Sequence, residues 1–216
     1  MEKGFRKAQQ AQPHPSHIRD QRTNHPKKGS TIAADPIRNL DDIEAIKQLL
    51  YSKPRDYLLF VMGINNGLRV GDMLKLKAGL FRNVREGDKI PLREEKTGKH
   101  QEVVINKPIK EALERYFAHC KPDDEQFLFK SQRGEGPICI SAVNLRIKNW
   151  CRAINLDGNY GSHTLRKTFG YILRREYGVS WEILSMRLNH DSPSVTRRYL
   201  GIEDDEVNDV LMKCTI

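Results

Sequence analysis

The segment "LNHDSPSVTRRYL", residues 188–200, places a histidine nine residues before a tyrosine and two arginines directly before that tyrosine. The four residues are His190, Arg197, Arg198 and Tyr199. Such a tyrosine is either an aromatic residue of the core or a phenol held ready to attack a negatively charged group. A phenol has an ordinary pKa of about 10 and is a poor nucleophile at neutral pH, so the second interpretation requires a base and a cationic field beside it.

Four side chains elsewhere in the sequence could provide that base and that field. Arg69 lies in "NNGLRVGD", Lys96 in "EEKTGKH", and His163 and Arg166 in "SHTLRKT". His163 and Arg166 are three residues apart, so on a helix they share one face with Cβ atoms roughly 5–6 Å apart. Each arginine can hold two phosphate oxygens through paired N–H donors, and a helix N-terminus already suits an anion. These residue types predict a phosphoryl transfer to tyrosine that uses no metal ion.

Two of these side chains can move the protons that such a transfer requires. His163 can take the proton of the phenol as a general base. The oxygen that leaves the phosphate needs a proton, and a lysine on a mobile hairpin tip can deliver it. We therefore assign the base to His163 and the acid to Lys96.

Taken singly, each motif also has a structural interpretation. A histidine and an arginine three residues apart are common on helices. Arg69 follows an Asn-Gly turn and could form a surface ion pair with Asp72. Residues 179–200 also fit a helix-turn-helix whose basic second helix lies in a DNA groove, which would make Tyr199 a packing or phosphate-contact residue.

The charge of the chain favours a polyanionic partner. Lys and Arg number 37 against 28 Asp and Glu, a net charge of +9, which suits nucleic acid or an anionic membrane surface. On the predicted helix 141–154, Arg146, Lys148 and Arg152 form either a solvated face or contacts to DNA phosphates.

Composition limits the remaining classes of protein. A chain of 216 residues with 38% hydrophobic residues can bury one good core. No apolar run approaches the roughly 18 residues of a membrane span, and the N-terminus does not resemble a signal peptide, so we expect a cytoplasmic, nucleoid-associated protein. The cysteines stand far apart without a C-x-x-C pair, which predicts reduced thiols and neither a metal site nor disulfides. They are Cys120, Cys139, Cys151 and Cys214.

Hydrophobic periodicity predicts a mostly helical body that positions these groups. Helices are predicted over residues 39–50, 55–66, 69–81, 108–117, 141–154, 162–178, 181–188 and 193–200. Asn39 or Asp41, Ser162 and Ser192 are candidate N-caps. Residues 88–105 carry β-branched residues on both sides of a Thr97-Gly98 turn, which predicts a hairpin with Lys96 at its tip. The predicted fold class is α+β, mainly α-helical, with one small antiparallel sheet.

The first 36 residues differ from this body. They hold four prolines and seven Lys or Arg against three Asp or Glu, with few large apolar residues. We expect a mobile basic arm at 1–36, either a solubilising tail or a DNA-touching segment, and one folded domain at 37–216.

In their order and spacing these motifs resemble the catalytic domain of the tyrosine recombinases, the phage integrase family. "GLRVGDMLKLK" is similar to that family's first arginine box, "KTGK" to its hairpin lysine, "HTLRKTF" to its second box and "LNHDSPSVTRRYL" to its last box. The resemblance implies that Arg69 and Arg166 bind the scissile phosphate. It also implies that Lys96 is the general acid and that Tyr199 forms a 3′-phosphotyrosyl link.

Three further roles follow from the same resemblance. His163 matches the histidine that acts beside the two arginines, His190 the residue that hydrogen-bonds the phosphate, and Asp72 an acidic residue that steadies the first arginine. The family uses no metal and no ATP. Members act as tetramers on two double-stranded DNA sites and exchange C-terminal segments, for which Val207, Val210 and Leu211 have suitable apolar spacing. The same spacing equally suits a helix that folds back on the core of its own chain.

The sequence departs from the family pattern in three respects. Asn189 stands in place of a glycine, and Lys167 in place of a frequent histidine. Because asparagine tolerates left-handed geometry, the turn at Asn189 should survive. The family's separate N-terminal DNA-binding domain has no counterpart before residue 37, so the chain is either a minimal member of the family or a fragment of a longer protein. In either case we expect weak DNA binding and an accessory DNA-binding protein.

Two functions remain at this stage. The first is a recombinase that cleaves and rejoins DNA, relaxing it as a topoisomerase where no second site is paired. The second is a catalytically idle DNA-binding regulator with the same fold. A regulator does not need all six reactive groups, and the presence of all six favours the enzyme. The six are Arg69, Lys96, His163, Arg166, His190 and Tyr199.

Overall fold

The computed structural model describes residues 33–202 and 211–212, and these form a mainly helical α+β fold with one two-stranded antiparallel sheet. This confirms the predicted fold class. None of the helices in this part of the chain has the length and apolar character needed to span a membrane. The elements are α1 Leu40–Leu50, α2 Pro54–Asn66, α3 Val70–Leu74, a 3₁₀ helix Ala78–Phe81, β1 Lys89–Arg93, β2 His100–Val104, α4 Lys107–Cys120, α5 Ile140–Ala153, α6 Ser162–Arg175, α7 Trp181–Arg187 and α8 Pro193–Leu200.

Several helix ends lie where local chemistry predicts them. The Asn39 side chain accepts a hydrogen bond from the Asp41 N–H at 2.9 Å, and the Ser192 side chain caps α8. Helix α2 ends at Gly67, which has φ +63. A side chain there would also collide with the ring of Phe169, so this position requires glycine for two reasons.

The prediction of a single helix over residues 69–81 is wrong. Helix α3 stops at Leu74, and the chain becomes extended because residues 76–78 bond to residues 126–128. The Leu128 N–H donates to the Leu76 carbonyl at 2.8 Å, and the Ala78 N–H donates to the Gln126 carbonyl at 2.8 Å. These partners are distant in sequence, and they replace the helical hydrogen bonds.

The N-cap of α6 also differs from the prediction, by one residue. Gly161 takes this position, and its N–H donates to the Thr164 hydroxyl at 2.9 Å. Ser162 is the first helical residue, and its N–H donates to the Asn144 side chain.

Helix α2 lies at the centre of the core and packs against α1, α4 and α6. Its residues 58–62 are completely or almost completely buried. A Cβ at Gly63 would lie 2.6 Å from Leu165 on α6, so the two helices approach closely here. A smaller cluster holds α7 and α8 against α6 and thereby places Tyr199. Its buried members are Tyr171, Trp181, Leu184, Leu200 and Ile202.

The end of the predicted N-terminal arm packs against the body. The Asp35 N–H donates to the Asn159 carbonyl at 2.7 Å, and the Asn159 N–H donates to the Asp35 carboxylate at 2.8 Å. Residues 1–32 of the arm lie outside the described residues, as do Val207 and Val210 of the predicted docking helix. Leu211 is described and exposed.

Candidate active site

Two arginines predicted to bind phosphate lie together around a buried carboxylate. Arg69 occupies the N-cap position of α3, and Arg166 projects from the first half of α6. Arg69 Nη1 forms an ion pair with Glu94 Oε1, and Arg166 Nη1 lies 3.9 Å from the same oxygen. Glu94 follows the last residue of β1, so the sheet and two helices meet at this point.

The guanidinium of Arg166 is fixed by backbone carbonyls. Its Nη1 donates to the Gly67 carbonyl at 2.6 Å and its Nη2 to the Leu188 carbonyl. The side chain is 2% exposed, and burial lowers the pKa of Arg166 from its ordinary value. Because carbonyls at two helix ends hold it, this side chain is oriented before any ligand binds.

Tyr199 on α8 lies close to His163, which is in the first half of α6 together with Arg166. The Tyr199 hydroxyl lies 3.3 Å from His163 Nδ1. The ring of His190 packs edge-on against the Tyr199 ring at 5.0 Å between centroids, and Lys167 Nζ lies 5.2 Å from the Tyr199 ring centre. The phenol is therefore half-buried among two histidines and a lysine.

Burial and the surrounding charges determine the protonation states of Tyr199 and His163. Burial raises the pKa of Tyr199, although the charges of Arg166 and Arg69 act to lower it. Burial also lowers the pKa of His163, and the charges of Arg166, Lys167, Arg69 and Lys96 lower it further. At neutral pH the phenol is thus protonated, and the imidazole of His163 is neutral and able to accept a proton.

His190 is oriented by the turn between α7 and α8. Its Nδ1 lies 3.0 Å from the Thr196 hydroxyl, and its backbone N–H donates to the Ser185 carbonyl at 3.0 Å. Burial, followed by the charges of Arg166 and Arg69, lowers the pKa of His190 to about 4.

Asn189 preserves the turn that positions His190. It has φ +49, which confirms the left-handed geometry expected at this position. Its side-chain amide donates to the His100 carbonyl at 3.0 Å, a contact that glycine could not make. The same loop contacts the hairpin through Lys99, whose Nζ lies 2.8 Å from the Asp191 carboxylate.

Lys96 lies in the hairpin turn, as the sequence predicts, and its side chain is exposed. Together with Arg69, His163 and Arg166 it lines a cleft of about 240 Å³. Asp72, expected to steady Arg69, instead accepts a hydrogen bond from the Glu95 N–H at 2.9 Å. Asp72 therefore ties α3 to the hairpin tip, and the carboxylate that pairs with Arg69 is Glu94.

Comparison with known proteins shows the family to which this chain is related. The family model described as "Phage integrase family" matches residues 39–206. A relative named "Probable integrase/recombinase YoeC", from Bacillus subtilis, is 38% identical over 173 residues, which cover 79% of this chain and 91% of that relative. The chain belongs to the phage integrase family. As a tyrosine recombinase, it is an enzyme that cleaves and rejoins DNA at specific sites.

More distant phage integrase family members share this fold. "Tyrosine recombinase XerC" of Caldanaerobacter subterraneus is 25% identical over 208 residues, covering 87% of this chain and 57% of that relative. The crystal structure of XerA recombinase superposes with a TM-score of 0.66 at 19% identity, covering 87% of this chain and 68% of that one. A lambda integrase dimer bound to a core site gives a TM-score of 0.60 at 19% identity, covering 79% of this chain and 60% of that one.

Sequence reasoning on this integrase missed Glu94, although a signal was present. Ile90 and Leu92 alternate along β1, and the same period, continued one residue past the end of the strand, places Glu94 on the inward face with these two apolar residues. A carboxylate at an inward position predicts a buried cationic partner.

The basic residues suggested as DNA contacts are not among the residues that line the cleft. On α5, Arg146 Nε is 3.3 Å from the Asp56 carboxylate, whereas Lys148 and Arg152 are exposed. On α8, the Arg197 guanidinium lies 5.4 Å from the Trp181 ring centre and Arg198 is exposed. Nothing in these contacts assigns them to DNA, so that role stays a prediction.

Proposed function

We propose that this recombinase cleaves DNA by attack of the Tyr199 hydroxyl on a scissile phosphate bound between Arg69 and Arg166. The observation that carries the proposal is the 3.3 Å approach of the Tyr199 hydroxyl to His163 Nδ1, beside the cleft that both arginines line. Phosphoryl transfer requires a nucleophile, a base and donors that bind the anion. Tyr199, neutral His163 and the two arginines meet these requirements in one place.

The proposed reaction balances without an additional reactant. Tyr199 gives its proton to His163 as its oxygen bonds to phosphorus, and the bond from phosphorus to the 5′ oxygen breaks. Lys96 donates a proton to that oxygen, which leaves as a 5′-hydroxyl. Rejoining reverses these steps, because the 3′-phosphotyrosyl link conserves the energy of the broken phosphodiester.

The charges that the phosphate requires come from this chain's own side chains. Arg69 and Arg166 face two of its oxygens. We propose that neutral His190, whose Nδ1 lies 3.0 Å from the Thr196 hydroxyl, donates a hydrogen bond from Nε2 to a phosphate oxygen. We therefore propose a reaction that needs no metal and no ATP, and we expect cleavage to persist in EDTA.

The proposed partner is double-stranded DNA, bound by several copies of the chain. Among the structural relatives, lambda integrase was solved as a dimer on a core site, and XerH was solved on its difH substrate before and after cleavage. We propose a tetramer on two sites, assisted by an accessory DNA-binding protein. Proposed phosphate contacts are Arg146, Lys148, Arg152, Arg197 and Arg198.

One experiment separates the arginines from the proposed acid. Arg69→Ala or Arg166→Ala should slow cleavage by about 10²–10³-fold on any substrate, because a charge-stabilising donor is lost. Lys96→Ala should also slow cleavage, by about 10²–10⁴-fold, yet regain the wild-type rate when the 5′ oxygen is replaced by sulfur, since a thiolate leaves without a proton.

Single-turnover rates on the oxygen and sulfur substrates measure this difference. Rescue of an arginine variant by sulfur, or failure to rescue Lys96→Ala, would show that the roles are wrongly assigned.

A further inference from the structure

Glu94 contacts both phosphate-binding arginines and the turn that carries Lys96. Its side chain is 2% exposed. One carboxylate oxygen pairs with Arg69 Nη1 and lies 3.9 Å from Arg166 Nη1. The other oxygen accepts a hydrogen bond from the Thr97 hydroxyl at 2.6 Å. A single buried side chain thus joins the arginine pair to the residue that follows Lys96.

Glu94 and Thr97 also hold the backbone of the turn around Lys96. The Glu94 N–H donates to the Lys99 carbonyl at 3.0 Å, and the Gly98 N–H donates to the Glu94 carbonyl at 2.8 Å. The Thr97 hydroxyl, oriented by the Glu94 carboxylate, lies 3.2 Å from the Lys99 nitrogen and accepts its N–H. The path of the backbone at Lys96 therefore depends on where the carboxylate is held.

The charge of Glu94 is what holds it against the arginines. Burial raises the pKa of Glu94, but the hydrogen bond from Thr97 and the contact with Arg69 outweigh burial and lower the pKa below its ordinary value. The group is therefore ionised at neutral pH. A neutral amide could still accept from Thr97, but it would lose most of its attraction to two guanidinium groups.

We propose that Glu94 is a positioning residue that sets the place of Lys96 relative to a phosphate bound by Arg69 and Arg166. The inference rests on the proposed role of Lys96 as the acid. The carboxylate of Glu94 would have two effects that can be separated. Without its negative charge, the two arginines attract phosphate more strongly, but the turn that holds Lys96 loses the contact that fixes its position. Phosphate binding is retained and proton delivery is lost.

The test compares Glu94→Gln with Glu102→Gln in the full chain. Glu102 lies on the same hairpin and pairs with Lys89 at 3.0 Å, so it controls for loss of an ion-paired carboxylate away from the cleft. On the oxygen substrate, Glu94→Gln should cleave about 10–100-fold more slowly than wild type, as expected for a misplaced reacting group. Its DNA affinity should be equal or higher, and Glu102→Gln should match wild type in both measurements.

The substrate with a 5′ sulfur decides the mechanism. Glu94→Gln should come within a few-fold of wild type on it, as Lys96→Ala does, whereas Arg69→Ala stays slow. Lack of rescue, or no loss of rate on the oxygen substrate, overturns the inference while leaving the Lys96 assignment intact. If Lys96→Ala itself is not rescued, the acid assignment fails first, and the inference fails with it.

A second variant provides the test if Glu94→Gln does not fold. Thr97→Val removes only the hydroxyl that links the carboxylate to the turn, at an exposed position. It should show the same pattern on a smaller scale, with slower cleavage of the oxygen substrate and rescue by sulfur. A Thr97→Val protein that cleaves both substrates at the wild-type rate overturns the inference.

Discussion

At the scale of single residues, Tyr199 and His163 have pKa values moved in opposite directions by one environment. Burial raises the pKa of the phenol and lowers the pKa of the imidazole. The phenol therefore keeps its proton at neutral pH, and the neutral imidazole is available to accept that proton when the phenol attacks.

This pair predicts the pH dependence of cleavage. Because the pKa of His163 lies below the ordinary histidine value, its base form persists as pH falls below about 6.5. The single-turnover rate should therefore stay level through neutral pH and decline only at more acidic pH, with the decline absent in His163→Gln, which should be slow throughout. An acid limb centred at or above the ordinary histidine pKa would contradict the assigned environment.

The residues that the sequence singled out as reactive lie together in the structure, and the order and spacing of their motifs along the chain, not any single motif, identified them. His163 and Arg166 share a helix face, and Lys96 lies in a hairpin turn that Gly98 marks. The strand period marks Glu94 as an inward-facing residue, but the arginines that it contacts could not be found from the sequence, because β1 meets α3 and α6 only in the folded chain. The contact of Asp72 was likewise not predictable from the sequence. Its side chain accepts a hydrogen bond from the Glu95 N–H of the hairpin and does not pair with Arg69.

At the scale of elements, the separation of α6 and α8 sets the position of Tyr199. Gly170 on α6 faces Leu200, the residue after Tyr199, and an added Cβ would lie 2.8 Å from its Cδ2 atom. Leu200 is 1% exposed, so its side chain has little room to move away. Only glycine permits this approach of the two helices.

Replacement of Gly170 by alanine should therefore displace the end of α8. We expect cleavage to fall about 10–100-fold, because the hydroxyl of Tyr199 moves relative to His163. The free energy of unfolding should fall by about 1–3 kcal/mol, as is usual for overpacking. Gly134→Ala is the control, since a Cβ there meets nothing within 4 Å. Wild-type cleavage by a folded Gly170→Ala protein would show that this helix spacing does not set the nucleophile.

Element prediction succeeded where local signals dominate and failed where distant residues intervene. Capping by Asn39 and Ser192 and the hairpin turn at Gly98 are local, and the structure confirms them. The helix predicted through residue 81 is interrupted because residues 126–128 pair with residues 76–78, and no pattern within the helical window reveals that partner.

At the scale of the whole molecule, charge governs the affinity for DNA. The net charge is +9, and residues 1–32 hold seven Lys or Arg against two Asp or Glu. Binding should weaken steeply as salt rises, because each neutralised phosphate releases counterions.

Deletion of residues 1–32 tests whether that charge touches DNA. The cut leaves Asp35 and its contact with Asn159 in place. If the segment contacts phosphates, the slope of log affinity against log salt should become shallower, and changing its seven basic residues to Gln should reproduce the effect. An unchanged slope in both variants would make the segment an inert tail.

The most direct measurement is covalent trapping on a nicked duplex whose 5′ fragment diffuses away after cleavage, carried out in EDTA. The wild-type chain should accumulate a DNA adduct that peptide mapping assigns to Tyr199. Tyr199→Phe should form none while binding DNA normally, because no other group can replace the phenol as nucleophile. Tyr177→Phe, at a tyrosine 70% exposed on the surface, should behave as wild type. An adduct that persists in Tyr199→Phe, or a wild-type adduct that requires magnesium, would contradict the account.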